Sequence, residues 1–369
     1  MRIVMISKAC VVGSYQTKLE RMAAYEDVDL TVIVPPSWRE GGHELTLERA
    51  HIQGYAMRAL PLCLNGSFHL HFYRGLGTLL RELAPDLVHM DEEPYNLATY
   101  LAFRAARAVG AKCLFFTWQN LHRRYPWPFA ATERYVHRNA SGAIAGNSAA
   151  ADVLRAKGYA GPLVVIPQFG VDPELFSPPE ARGMDGPVII GYAGRIVPEK
   201  GLWVLVEALE GLTGSWELHL AGQGPLEPAL RDRLRRSGLD ERVRFLGYVP
   251  SGDMPTVLSA MDILVLPSLT RRNWVEQFGR VLIEAMACAV AVVGSDSGEI
   301  PRVIGDSGLV VPEGDAEALR TALESLVGDP AARQRLGNRG RSRVMTHFTQ
   351  AQIAARIVSF YRELQGSEG

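Results

Sequence analysis

No two of the four cysteines, Cys10, Cys63, Cys113 and Cys288, fall in a short paired motif. Their wide spacing fits reduced thiols in a reducing compartment better than a disulfide framework or a cysteine-based zinc site. Neither sign of charge is in excess, because 39 lysines and arginines face 40 aspartates and glutamates for a formal net charge of −1. A chain-wide electrostatic footprint for nucleic acid is therefore missing, and nucleic acid is not an expected partner. No apolar run nears the roughly 18 residues that a membrane-spanning helix needs. Met1-Arg2 opens an apolar run that Lys8 interrupts, and no small-residue cleavage site follows. That pattern predicts a first strand, no signal peptide, and a cytoplasmic location, peripheral on the inner membrane face at most.

What is present is enough apolar material for two cores: 369 residues, 47% of them hydrophobic. Short apolar runs alternate with helical stretches. Arg2 to Ile6, Leu30 to Val34, Leu87 to His89, Cys113 to Phe116, Gly142 to Ala145 and Leu163 to Ile166 read as buried strands, with helices over Leu76 to Leu83 and Leu97 to Val109. Prolines and glycines then crowd residues 171–186, which read as a linker. A second series begins at Val188 to Ala193 and continues through Glu217 to Ala221, Val243 to Leu246, Ile263 to Leu266 and Val290 to Val293. The fold class is α/β, with two Rossmann-like domains over 1–170 and 187–347 facing a cleft. Ile353, Ile357, Phe360 and Leu364 make the tail an amphipathic helix, and 348–369 is expected to complete the first domain.

Two carboxylates, Glu276 and Glu284, flank a glycine break at Gly279. Apolar spacing at Val281, Leu282, Ala285 and Met286 puts Glu284 on a helix and leaves Glu276 in the preceding loop. Carboxylates accept hydrogen bonds and match vicinal diols, so the pair fits two parts of one elongated polyhydroxy ligand; it also fits helix-flank acids in solvent. Upstream, Gly194-Arg195 and Lys200-Gly201 sit between a strand and a helix whose apolar face is Leu202, Leu205, Val206 and Leu209. A glycine turn, a helix start and two cations suit a diphosphate, although the spacing is neither a dinucleotide fingerprint nor a P-loop. Gly222-Gln-Gly224-Pro225 is a second such turn, equally explained by tight packing.

In this order, Gly194-Arg195 with Lys200-Gly201, Gly222-Gln-Gly224-Pro225, Val243 to Val249, Asp262 to Ser268 and Glu276 to Glu284 resemble family-4 glycosyltransferases across nearly all of the second half. The resemblance implies a GT-B fold, a nucleotide sugar held by the C-terminal domain, and retention at the anomeric carbon. It implies that Arg195 and Lys200 neutralise the leaving diphosphate, Glu284 holds ribose hydroxyls and Glu276 contacts the donor sugar. Gly247 and Val249 fall near the base, and Gly194, Phe278 and Gly279 near phosphate or sugar. A UDP- or GDP-sugar is then the donor, with no cofactor and no metal. The acceptor is a saccharide, a lipid-linked molecule or a small molecule.

The first domain departs from the family. Its first loop, Lys8 to Tyr15, has one glycine, and the family's frequent histidine after the central strand is replaced by Gln119, with His122 three residues on. An amide bonds a hydroxyl but does not titrate. The family's acidic Gly-Gly-x-Pro-Glu-type segment is also altered, since Gly298-Glu299-Ile300-Pro301 runs into Arg302. Asp91-Glu92-Glu93 reads as a solvated or acceptor-binding loop, and His69, His71 and His89 lack metal-ligand spacing. Residues 122–138 are basic and aromatic, fitting an anionic membrane surface, an acidic saccharide or a packed loop. Three other functions share the nucleotide site: a GT-B-like epimerase, a noncatalytic nucleotide-sugar sensor, and a pyridoxal-phosphate phosphorylase, the last disfavoured by length and by the want of a cofactor lysine.

Overall fold

The computed structural model describes residues 1–40, 42–179 and 186–366. The chain forms two units, Met1–Gly170 with Gln350–Gly369, and Val171–Thr349. Residues 180–185 of the expected linker and 367–369 of the tail lie outside the described residues. The start of that linker is tied into the second unit: Val171 donates its amide to the Phe348 carbonyl at 2.8 Å, and the Phe176 carbonyl accepts from Arg341 at 3.3 Å.

In the first unit seven strands lie in one sheet: β1 (Arg2–Ile6), β2 (Asp29–Val34), β3 (Ala56–Ala59), β4 (Leu87–Met90), β5 (Lys112–Thr117), β6 (Gly142–Ala145) and β7 (Leu163–Val165). Their order is β7-β6-β5-β4-β1-β2-β3, and every pairing is parallel. Alternate residues of each strand feed opposite cores. Ile3, Met5, Leu30, Val32 and Leu114 pack on one face, whereas Val4, Ile6, Ile33, Val88 and Phe115 pack on the other. With both faces covered, each strand has to be apolar along its whole length, which is why these runs stand out in the sequence. β3 has one half-buried residue and three exposed ones, and sequence periodicity misses it. Two short antiparallel hairpins, Ser37–Glu40 with His43–Thr46 and Leu62–Cys63 with Phe72–Tyr73, are also absent from the sequence reading.

The second unit repeats the plan with β8 (Val188–Ala193), β9 (Trp216–Ala221), β10 (Val243–Gly247), β11 (Ile263–Leu266), β12 (Ala291–Ser295) and β13 (Leu309–Val311). The order β10-β9-β8-β11-β12-β13 is again wholly parallel. In each unit the first strand sits mid-sheet, and the chain winds outward to one side and then the other. The strand order therefore reverses between β1 and β4, and between β8 and β11, where loops part and leave room for a ligand.

The final helix, Gln350–Gly366, belongs to the first unit. Its buried face of Ile353, Ala354, Ile357, Val358, Phe360, Tyr361 and Leu364 joins the core cluster of Ile3, Met5, Leu19 and Met22. Tyr361 is fully buried, and its hydroxyl lies 2.6 Å from His89 Nδ1. Arg362 bonds Asp27 at 2.6 Å, and Lys112 caps the Leu364 carbonyl at 2.8 Å. Among the described residues no helix is long and apolar enough to cross a membrane. Since Phe360 is only 4% exposed, Phe360→Ala is expected to destabilise the first unit by about 3 kcal/mol, read as a lower urea midpoint. An unchanged midpoint would show that the helix is not part of that core.

Candidate functional site

The loops after β8 and β11 meet at the strand-order reversal of the second unit. Gly201 makes the meeting possible: at φ +70° it lies so close to the next loop that a Cβ would stand 1.8 Å from the Pro267 carbonyl oxygen. Leu269 donates its amide to the Glu199 carbonyl at 2.8 Å, closing the junction. The contact brings Lys200 Nζ to 2.6 Å from Glu276 Oε2. Ser268 Oγ donates to the same oxygen at 2.8 Å, and Lys200 lies 5.1 Å over the Trp274 ring. Both hydrogen bonds fall on Oε2, so Oε1 makes none among the described residues. Glu276 is buried, and a carboxylate in that setting needs a fixed cation and a donor, both of which it has. Its backbone is held as well, because its carbonyl accepts from the Glu299 amide at 3.3 Å.

The other expected residues of this unit each have their own surroundings. Arg195 keeps 68% of its side chain exposed and reaches Glu199 at 3.6 Å. Glu284 lies on the helix Arg280–Ala287, buried and paired to Arg280 Nε at 2.7 Å. Burial raises its pKa, and the Arg280 charge acts against that. Gly279 starts the helix and Phe278, also buried, packs its ring 5.8 Å from Phe348. Gly194 and Gly222 make the glycine turns touch, for a Cβ on Gly222 would fall 1.9 Å from the Gly194 carbonyl oxygen. Gly222 in turn donates its amide to the Gly247 carbonyl at 2.7 Å, and Val249 is half-buried just beyond.

The first unit places a second polar cluster at its own reversal point, after β1 and β4. Of the two readings of Asp91-Glu92-Glu93, solvated or acceptor-binding loop, the first is corrected: all three are buried. Asp91 accepts from Ser7 Oγ at 2.7 Å, and Glu92 from Lys8 Nζ at 2.6 Å with His71 Nε2 at 2.9 Å. Burial alone would raise Glu92, but the Lys8 and His71 charges overcome it and hold the group at about 2. Glu93 goes the other way. Burial lifts it to about 7 against hydrogen bonds from the Thr117 hydroxyl at 2.5 Å and the Trp118 amide at 2.7 Å.

Gln119 follows directly, buried, with its amide donating to Thr117 Oγ1 at 3.1 Å. Its side chain meets Lys157 and Tyr125, while His122 is exposed. The candidate residues thus divide, Gln119 standing in one unit and Arg195, Lys200, Glu276 and Glu284 in the other. Trp274 and Lys157 were not singled out by sequence reasoning, and Ser268 and Tyr125 stood only inside longer stretches, 262–268 and 122–138, with no role of their own. Ser268 carried a signal, since it ends an apolar strand beside the loop that holds Glu276. Lys157 carried none, standing 38 positions from Gln119.

Two outcomes follow from this geometry. Gly201→Ala is expected to lower the stability of the second unit by about 2 kcal/mol or more, because the Pro267 carbonyl blocks the new methyl; an unfolding midpoint like that of the parent chain would rule out the close approach. Glu93 binds its proton more tightly folded than unfolded, where its ordinary value is 4.5. Its stabilising contribution is complete below about pH 4.5 and is lost as pH rises through about 7. Glu93→Gln should flatten the pH dependence of the melting temperature over that window, and an identical profile in both proteins would contradict the assignment.

The chain matches known proteins along most of its length. Residues 12–168 match the glycosyl transferase 4-like domain, and residues 178–343 match glycosyl transferases group 1. The lipopolysaccharide core biosynthesis mannosyltransferase LpcC of Rhizobium leguminosarum bv. viciae is 34% identical over 216 residues, 54% of this chain and 59% of the relative. The 2-deoxystreptamine N-acetyl-D-glucosaminyltransferase of Streptomyces fradiae is 31% identical over 278 residues, 68% of this chain and 65% of the relative. The chain spans about half to two thirds of the length of the curated relatives it matches. Among solved structures, HepE of Anabaena in complex with UDP superposes with a TM-score of 0.75 at 19% identity, covering 98% of this chain and 100% of that one. Sucrose-phosphate synthase of Thermosynechococcus elongatus gives a TM-score of 0.69 at 21% identity, with 100% of each chain covered. With two Rossmann-like sheets of one strand order and a glycosyltransferase match in each unit, the chain belongs to the GT-B glycosyltransferases of family 4.

Proposed function

We propose that the chain is a retaining glycosyltransferase that moves a hexosyl group from a UDP- or GDP-sugar to a hydroxyl of a saccharide, lipid or small-molecule acceptor, without a metal ion. The observation that carries this reading is the Lys200 and Glu276 pair, 2.6 Å apart at the carboxyl ends of adjacent strands. Breaking the bond between the sugar and its diphosphate builds negative charge on phosphate and positive charge on the sugar. Lys200 and the exposed guanidinium of Arg195 answer the first, as cations supplied by the chain. Glu276 offers its unengaged Oε1 to a sugar hydroxyl, and Glu284 fits a ribose diol.

One further feature supports the reading. Relatives named for mannosyl and N-acetylglucosaminyl transfer differ in the sugar but share hexosyl transfer. In this account the acceptor binds the first unit, beside Gln119. Residues 122–138 carry Trp127 at 82% exposure beside the exposed Arg123 and Arg124, which fits peripheral contact with an anionic membrane holding a lipid-linked acceptor.

A calorimetric panel of UDP-, GDP- and ADP-sugars, followed by acceptor screening with the donor that binds, tests the reading. Lys200→Ala is expected to lower turnover by on the order of a hundredfold. Glu284→Ala should weaken nucleotide binding by about tenfold. Unchanged rate and affinity in both variants would remove the site assignment. A changed sugar on intact nucleotide, formed without acceptor, would favour an epimerase instead.

A further inference from the structure

Which end of a glutamine amide is oxygen follows only from its partners. For Gln119 the partner settles it. Lys157 Nζ lies 2.9 Å away, and an ammonium group has hydrogens to donate and no lone pair, so the facing atom is Oε1. The nitrogen is therefore at the other end, where it donates to the Tyr125 hydroxyl at 3.3 Å. Its second N–H makes no hydrogen bond among the described residues. The lysine is itself firmly held: its side chain is 8% exposed, and it bonds Glu133 Oε1 at 2.5 Å and lies 4.9 Å over the Tyr125 ring. Glu133 and His137 face it from the helix Phe129–Asn139, Glu93 from the end of β4, and Tyr125 from the intervening loop. Gln119 itself stands two residues past the end of β5, at the strand ends where sheets of this kind bind ligands.

We propose that Lys157 is a positioning residue that holds Gln119 as an oriented, non-titrating donor of one N–H to an oxygen of a sugar substrate. The inference rests on the glycosyl-transfer reading above. It also explains the departure at this position, because a protonated imidazole there would meet a buried ammonium. A neutral amide gives its oxygen to the lysine and keeps a hydrogen for the substrate.

Two measurements test it. Gln119→Glu keeps an acceptor for Lys157 but loses the donor; it should fold with an unfolding midpoint at or above that of the parent chain, bind UDP or GDP unchanged, and lose on the order of a hundredfold in kcat. Parental kcat in that variant overturns the proposal. The second measurement needs no substrate. The imidazole of Gln119→His is titrated by NMR with Lys157 present and with Lys157→Met added, and its pKa should rise by about one unit when the lysine is removed. An unshifted value overturns the proposal. If the parent chain transfers no sugar at all, the functional reading fails and the imidazole titration still decides whether Lys157 controls position 119.

Discussion

The ion pair between Lys200 and Glu276 is the constraint on which the second unit's site depends. A carboxylate only 7% exposed is stable as an anion when a cation and hydrogen-bond donors replace water, and here Lys200 and Ser268 do so on a single oxygen. Two loops from separate strands must meet for that to happen. They meet because Gly201 has no side chain and so allows the Pro267 carbonyl to enter the space a Cβ would occupy. Site chemistry and backbone packing are thus one feature: the residue beside the cation is the residue that lets the loops touch.

The first unit solves the same problem with different residues. Its strand-order reversal also carries a lysine on a glutamate, Lys8 on Glu92 at 2.6 Å, again joining the loop after the first strand to the loop after the fourth. What distinguishes this cluster is the divergence of its neighbouring acids. Glu92 is bonded by Lys8 with His71 beside it and lies at about 2, whereas Glu93 has a hydroxyl and an amide and is lifted to about 7. Adjacent residues of one type acquire opposite proton affinities because Glu92 bonds a cation directly, whereas at Glu93 burial outweighs a hydroxyl, an amide and the lesser influence of the Lys8 and Lys157 charges.

Much of the architecture was legible in the residue order. Strands buried on both faces leave continuous apolar runs, so Arg2 to Ile6 and Ile263 to Leu266 were readable to the residue. The exposed edge strand Ala56–Ala59 and the short hairpins have no such pattern and were missed. The solvated reading of the acidic run after β4 failed, because three consecutive carboxylates resemble a solvated loop unless their partners are known. Those partners come from far along the chain: Lys8 stands 84 positions from Glu92.

By itself the sequence determined the α/β class, the two series of strands, and the residue types in the loops around Arg195, Lys200, Glu276 and Glu284, since these depend on local periodicity and short spacing. Tertiary structure alone decided which charges pair, which oxygen of Glu276 stays unengaged, and that a lysine 38 positions away sets the orientation of Gln119. The physical reason is that hydrogen bonding and desolvation act over a few ångströms of space. Strand order brings distant residues within that range, and linear spacing carries no record of it.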